Sequence, residues 1–330
     1  MTSIAAPHPP RFDRALGAWI LSTYADVTTA LRDARLSIAG SIAGSTAESS
    51  AAHDAFRDAA GRALSSQRLA DWRVAMDRAA VRIAAALPRS QPIDLVDDFA
   101  RPWSTEVAAM ISGVSLSEAL RLAEPAREVF LSAAKATDSE PQPETHSAID
   151  ELSRALKGPN PALAVQTFVA VSQTLPCVLA GAWLALLQQS ELMQEVRTTP
   201  VLASRAVDEL LRLTSPTRAV FRTACADIRI GAANIVAGER VILMIAAANL
   251  DAAQFANPTR LDATRGAAGH LALGMGMHPC LGAALVRMAV ASATTALLGA
   301  TTQVDVVGQV EWLDGFAIRS PVTLPVCLRR

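Results

Sequence analysis

The sequence predicts a mainly α-helical protein with a minor β part. Three observations carry this reading: helical apolar periodicity through the first two thirds, short strand-like segments punctuated by glycines after Pro216, and an apolar helix that follows a turn-rich stretch. The composition agrees, because 330 residues at 51% hydrophobic and 18% charged are enough to bury a large core. With no internal repeat and no linker, residues 1–330 read as one domain.

The elements follow in order. Residues 17–33 start strand-like and turn at Tyr24-Ala25-Asp26 into a helix with Val27, Ala30 and Leu31 on one face. Helical periodicity then covers 51–64, 68–87, 95–111, 116–134, 149–156, 163–188 and 190–214. Residues 138–145, with Pro141 and Pro143, read as a polar surface loop. Residues 220–223, 228–230 and 241–245 read as strands, and the tail 318–328 as a further strand pair. Between them, 249–276 is rich in turn residues, and 281–298 returns to an apolar helix.

Several function classes drop out early. A formal net charge of −1 with interspersed signs leaves no basic stripe, which argues against nucleic-acid partners. No apolar run is read as reaching the roughly 18 residues that a bilayer span requires, and residues 1–14 lack a signal peptide's apolar core. The expectation is a cytoplasmic protein with no membrane partner. Four scattered cysteines (Cys177, Cys225, Cys280 and Cys327) match neither a disulfide framework nor a structural zinc site. The mean hydropathy of +0.27 points to apolar surface that meets a substrate, a lipid or another subunit, such as a homodimer partner.

The strongest chemical signal is H-L-A-L-G-M-G-M-H-P-C-L-G, from His270 to Gly282, followed at once by a helix. Gly274 and Gly276 let the backbone turn tightly, and Gly282 has no Cβ to collide with a flat group lying on the turn. A helix that starts just after Cys280 aims free amides and a positive dipole end at the sulfur, which is expected to favour thiolate over thiol. Such a sulfur can ligate iron.

This loop resembles the heme-binding loop of the cytochrome P-450 superfamily, F-x-x-G-x-x-x-C-x-G, with Leu273 where the family usually has Phe. The resemblance implies the cytochrome P-450 fold of the soluble bacterial type, heme b as cofactor and Cys280 as the metal ligand. Upstream, Glu209-Leu210-Leu211-Arg212 resembles the family's E-x-x-R, 71 residues before Cys280 (280 − 209). Its role is structural, and Arg260 in N-P-T-R-L-D matches the third member, with Arg265 as the alternative. His53, Arg57, Arg222 and His278 fall at family positions that face the heme propionates, which need cationic or hydrogen-bonding partners.

The apolar helix around residues 170–174 is similar to the family's central helix, where A-G-x-(D/E)-T-(T/S) here reads A-V-S-Q-T-L. Thr174 matches the hydroxyl that holds a proton-delivering water, and Gln173 stands where the family has an acid. An amide keeps hydrogen bonds but cannot relay a proton by ionising. The resemblance covers about 17–328, shortened at the N-terminus and in the helices that roof the distal pocket, since only 61 residues separate Gly113 from Thr174 (174 − 113).

The implied activity is oxidation of an apolar or carrier-protein-bound small molecule of secondary metabolism, by C–H hydroxylation or a related step fed by a ferredoxin-type electron donor. Gln173 keeps open a peroxide-driven or redox-neutral catalyst. A degenerate heme-binding partner protein without turnover is the third reading.

Overall fold

The computed structural model describes residues 6–38, 50–135, 142–158, 160–265 and 269–329. Helices dominate and sheet is the minor part, as the periodicity predicts. The core is built around the helix pair Pro161–Val169 and Leu175–Leu187, which runs on through a π-helical turn at Ala170–Thr174. The second of these helices is apolar on all sides, as a fully packed core helix is. Phe99 lies against Trp183 with ring centroids 5.2 Å apart, and the Trp183 indole N–H donates to Thr294 Oγ1 at 3.1 Å. Ala283–Gly299 packs on Ser66–Ala86, where the Ser292 hydroxyl donates to Asp77 Oδ1 at 2.6 Å.

Pro161–Leu187 corrects one expectation. It is long and apolar enough to cross a membrane, whereas the sequence reading found no run of that length. In this fold 78% of its most apolar window is buried by protein, so its hydrophobicity serves the core.

A five-stranded sheet runs in the order Arg11–Asp13, Ala18–Leu21, Arg240–Leu243, Val220–Ala224, Leu36–Ile38, and only its second and third strands are parallel to each other. The helix Tyr24–Arg32 follows directly from this sheet, capped by the Thr23 hydroxyl, which accepts the Asp26 N–H. Beneath it a smaller apolar cluster holds Val27, Leu31, Leu243, Ile245 and Leu271, so the sheet and the cysteine loop share one core.

Prolines explain where single periodic stretches divide. Residues 116–134 form two helices, Leu116–Arg121 and Ala123–Lys135, because Pro125 cannot continue the first. Residues 190–214 likewise break before Pro200, which opens Pro200–Thr214. Of the expected loop at 138–145, residues 138–141 lie outside the described residues, and Pro143 already starts the helix Pro143–Ala155. The tail does not pair with itself as expected. Arg319–Pro321 pairs with Trp312–Asp314, while Pro325–Arg329 inserts between Pro92–Asp94 and Gln303–Val306. That register buries Val326 and Leu328 beside Ile93 and Val304.

Candidate functional site

The loop that carries Cys280 is joined to the Pro200–Thr214 helix by the bond between His270 and Asp208, and shares an apolar cluster with the strand Val220–Ala224 through Leu271 and Ala224. The loop is closed by backbone bonds, with the Cys280 N–H donating to Leu273 O at 2.7 Å and the Gly274 N–H to Leu271 O at 2.9 Å. Gly274 and Gly276 both lie in the left-handed region, at φ +68° and +71°. At Gly276 a Cβ would stand 2.1 Å from the Leu31 carbonyl oxygen, so this glycine lets the loop lie against the end of Tyr24–Arg32. At Gly282 a Cβ would meet nothing within 4 Å, which leaves free space two residues after the cysteine.

These glycines therefore predict different failures. Gly276→Ala is expected to destabilise the fold by at least about 2 kcal/mol through strain and collision. Gly282→Ala should leave the apoprotein's unfolding midpoint unchanged and lower only its uptake of a planar ligand. Thermal melts of apoprotein beside heme titrations check both.

Cys280 is exposed, yet enough protein surrounds the sulfur for burial to push its thiol pKa up, against the opposing pull of the Gly282 N–H and the Arg287 cation. The expectation that the helix start alone favours thiolate is thus corrected, because desolvation outweighs the amide and the cation. A bound metal cation would reverse that balance.

The E-x-x-R pair is buried, with both side chains 1% exposed. Arg212 Nε and Nη2 donate to Glu209 Oε2 and Oε1 at 2.7 and 2.8 Å, a bidentate pair, and Nη1 donates to the carbonyls of Asn249 and Pro258. The third member is Arg265, whose Nε donates to Glu209 Oε1 at 3.2 Å. Arg260 is corrected: its side chain is exposed and only its carbonyl reaches Arg212, because its N–H closes a turn onto Asn257 that presents the backbone to the buried pair. Asn249 is a tie that sequence reasoning missed. Its carbonyl accepts from Arg212 while its Oδ1 accepts the Leu271 N–H at 2.7 Å, which joins the ion pair to the cysteine loop.

Of the four groups expected around the propionates, the His53 side chain lies outside the described residues. Arg57, half-buried on Ser50–Ala63, donates to the Pro279 carbonyl at 3.4 Å and so reaches the residue before the cysteine. His278 is also half-buried in the loop itself. Arg222 is 6% exposed, and the one hydrogen bond of its side chain among the described residues goes to the Phe221 carbonyl. Burial without a carboxylate lowers its pKa to about 10. A buried, uncompensated cation is costly, and an anionic ligand group would satisfy it.

Arg222→Leu is therefore expected to leave apoprotein at least as stable as the wild type while heme dissociates roughly 10- to 100-fold faster, the loss of a charge-assisted hydrogen bond. Apoprotein melts and heme transfer to an acceptor globin read the two effects separately.

On the central helix, Thr174 ends the π-helical turn, and Pro176 follows where it can donate no backbone hydrogen bond. The Thr174 hydroxyl makes no hydrogen bond among the described residues, unlike that of Thr214, which bonds back to Leu210 O at 2.7 Å. Gln173 is buried and its amide donates to the Ala123 carbonyl at 3.3 Å, tying the central helix to the start of Ala123–Lys135. It also lines a cavity of about 290 Å³ with Phe130, Cys177 and Trp312.

The protein is thus a helical fold whose cysteine loop offers an exposed Cys280, open space at Gly282 and, on a nearby sheet, a buried arginine. The family model for cytochrome P-450 matches residues 185–300. The biotin biosynthesis cytochrome P-450 of Bacillus subtilis is 36% identical over 160 residues, 48% of this chain and 40% of that protein. The vitamin D(3) 25-hydroxylase of Pseudonocardia autotrophica is 28% identical over 318 residues, 82% of this chain and 77% of that protein. The matches thus span from less than half to about three quarters of these relatives' lengths. Among solved structures, CYP109B1 from Bacillus subtilis superposes with a TM-score of 0.83 at 22% identity, covering 97% of this chain and 96% of that one. P-450BioI in complex with a hexadec-9Z-enoic acid-ligated acyl carrier protein gives 0.85 at 23%, covering 98% and 96%.

Over residues 185–300 this chain matches the cytochrome P-450 family model, and its fold is that of the solved cytochromes P-450. Members of that family bind heme b, and the residues present fit that group: an exposed Cys280, open space at Gly282, and a buried cation at Arg222 with no anionic partner among the described residues.

Proposed function

We propose that this chain is a single-domain heme-thiolate oxidoreductase, in which Cys280 ligates the iron and an apolar or carrier-bound small molecule of secondary metabolism is oxidised at carbon with electrons from a ferredoxin-type donor. The observation that carries it is the exposed Cys280 in a glycine-bracketed turn, with open space at Gly282 two residues on. Heme, when bound, supplies the redox chemistry. The chain's own residues would do the rest: Arg222, Arg57 and His278 hold the anionic edge, and Thr174 offers a hydroxyl free of helix carbonyls to position a proton-carrying water.

Carrier-bound substrates are supported by similarity to the acyl-carrier complex above and to PksS of the bacillaene polyketide synthase, at a TM-score of 0.81 and 22% identity. The interval between Gly113 and Thr174 carries the helices Leu116–Arg121, Ala123–Lys135 and Pro143–Ala155 and is short, which favours a substrate presented by a partner or a lid supplied by a second copy. A cytoplasmic location belongs to the same proposal.

A second reading, peroxide-driven or redox-neutral turnover, is favoured by Gln173, whose amide holds the Ala123 carbonyl and has no ionisable proton to relay. The deciding experiment is the ferrous-CO spectrum of purified protein, followed by difference spectra with free and acyl-carrier-linked fatty acids. Turnover is then compared with a ferredoxin system and with hydrogen peroxide. A protein that takes up no heme overturns the proposal, and turnover with peroxide alone selects the second reading.

A further inference from the structure

Next to Glu209, and on the same helix, a second buried carboxylate faces the cysteine loop. Asp208 Oδ1 accepts from His270 Nε2 at 2.9 Å and from Arg287 Nε at 2.7 Å. His270 stands ten residues before Cys280 and Arg287 seven after, so one oxygen joins both flanks of the loop to the Pro200–Thr214 helix. The Ala272 N–H donates to His270 Nδ1 at 3.2 Å, which leaves the ring proton on Nε2, directed at Asp208. His270 is 5% exposed, Asp208 10% and Arg287 40%, so the carboxylate is largely desolvated while the guanidinium reaches solvent. Burial raises the Asp208 pKa, but the hydrogen bonds from His270 and Arg287 outweigh it and hold the group below the usual carboxylate range.

We propose that Asp208 is a positioning residue for the metal ligand: it clamps the two ends of the cysteine loop through His270 and Arg287, and by pairing with Arg287 it moderates the field that this cation exerts on the Cys280 sulfur. Arg287 is the charged side chain that most favours the thiolate, so how fully it is paired sets the field at the sulfur. The neighbouring carboxylates divide the work. Glu209 holds the turn-rich stretch through Arg212, Arg265 and the Asp262 N–H, and Asp208 holds the loop.

The inference rests on the heme-thiolate reading, and its test separates the two. Asp208→Asn keeps side-chain shape, Arg287→Gln shortens it while keeping a polar end, and the two change charge in opposite senses; both are measured as heme-loaded protein by ferrous-CO spectrum, heme dissociation rate and midpoint potential. Asp208→Asn leaves the cation unpaired and should raise the potential, since added positive charge favours the reduced iron. Arg287→Gln should lower it. His270→Ala should speed heme dissociation several-fold, and His270→Gln, which can still donate to Asp208, should restore most of the retention. Wild-type protein without the red-shifted band would sink the heme-thiolate reading and this role with it. An intact wild-type band with shifts of the same sign, or with no shift in either variant, would overturn the positioning role alone.

Discussion

Cys280→Ala is expected to abolish the red-shifted Soret band of the ferrous-CO complex, because it removes the sulfur that sits in the glycine-bracketed turn with its side chain exposed. Cys177→Ala, Cys225→Ala and Cys327→Ala should leave the band intact. Cys177 is buried and its thiol donates to the Gln173 carbonyl, and Cys327 pairs within the three-stranded sheet. Cys225 is exposed like Cys280, but it lies just after the strand Val220–Ala224, with no helix start and no glycine bracket around it. Retention of the band in Cys280→Ala would refute the assignment. The red shift depends on an electron-rich thiolate opposite CO, so a variant that still binds heme through another ligand would show a different band and remain distinguishable from one that binds none.

The second large effect is on assembly. Glu209→Ala or Arg212→Ala leaves one buried charge without its partner, at a cost of roughly 3–5 kcal/mol. Glu209 alone collects Arg212, Arg265 and the Asp262 N–H, and Arg212 collects the carbonyls of Asn249, Pro258 and Arg260. Losing either should let the turn-rich stretch go, and with it the Asn249 contact that holds Leu271 in the cysteine loop. The yield of folded, heme-loaded protein should therefore collapse, while turnover per heme in what survives stays close to wild type. Normal yield with selectively lost turnover would show that the pair acts in chemistry rather than in assembly.

Much of the architecture was legible in the chain because it is local. Apolar spacing placed the long helices, glycines marked the strand region, and H-L-A-L-G-M-G-M-H-P-C-L-G isolated one cysteine out of four. E-x-x-R was visible too, since residues three apart share a helix face. What could not be read was which distant partner each group would take. Arg260 and Arg265 are both arginines in the same turn-rich stretch, and only the backbone path decides that Arg265 turns toward Glu209 while Arg260 offers its carbonyl. The tail strands were seen as strands but matched to the wrong neighbours, because edge pairing depends on where the sheets meet the helices.

By itself, then, the sequence determined the helical class, the glycine-bracketed cysteine loop and the E-x-x-R motif upstream of it, all written in short-range spacing. The tertiary structure alone decided that Asp208, 72 residues before Cys280 (280 − 208), clamps the loop, that Asn249 bridges it to the ion pair, and that Arg222 is left as a buried cation. These roles arise from desolvation and from convergence of segments far apart in the chain. A carboxylate, an amide or a guanidinium looks the same in a sequence whether it will face water or be enclosed by protein, and only burial turns that difference into a binding site.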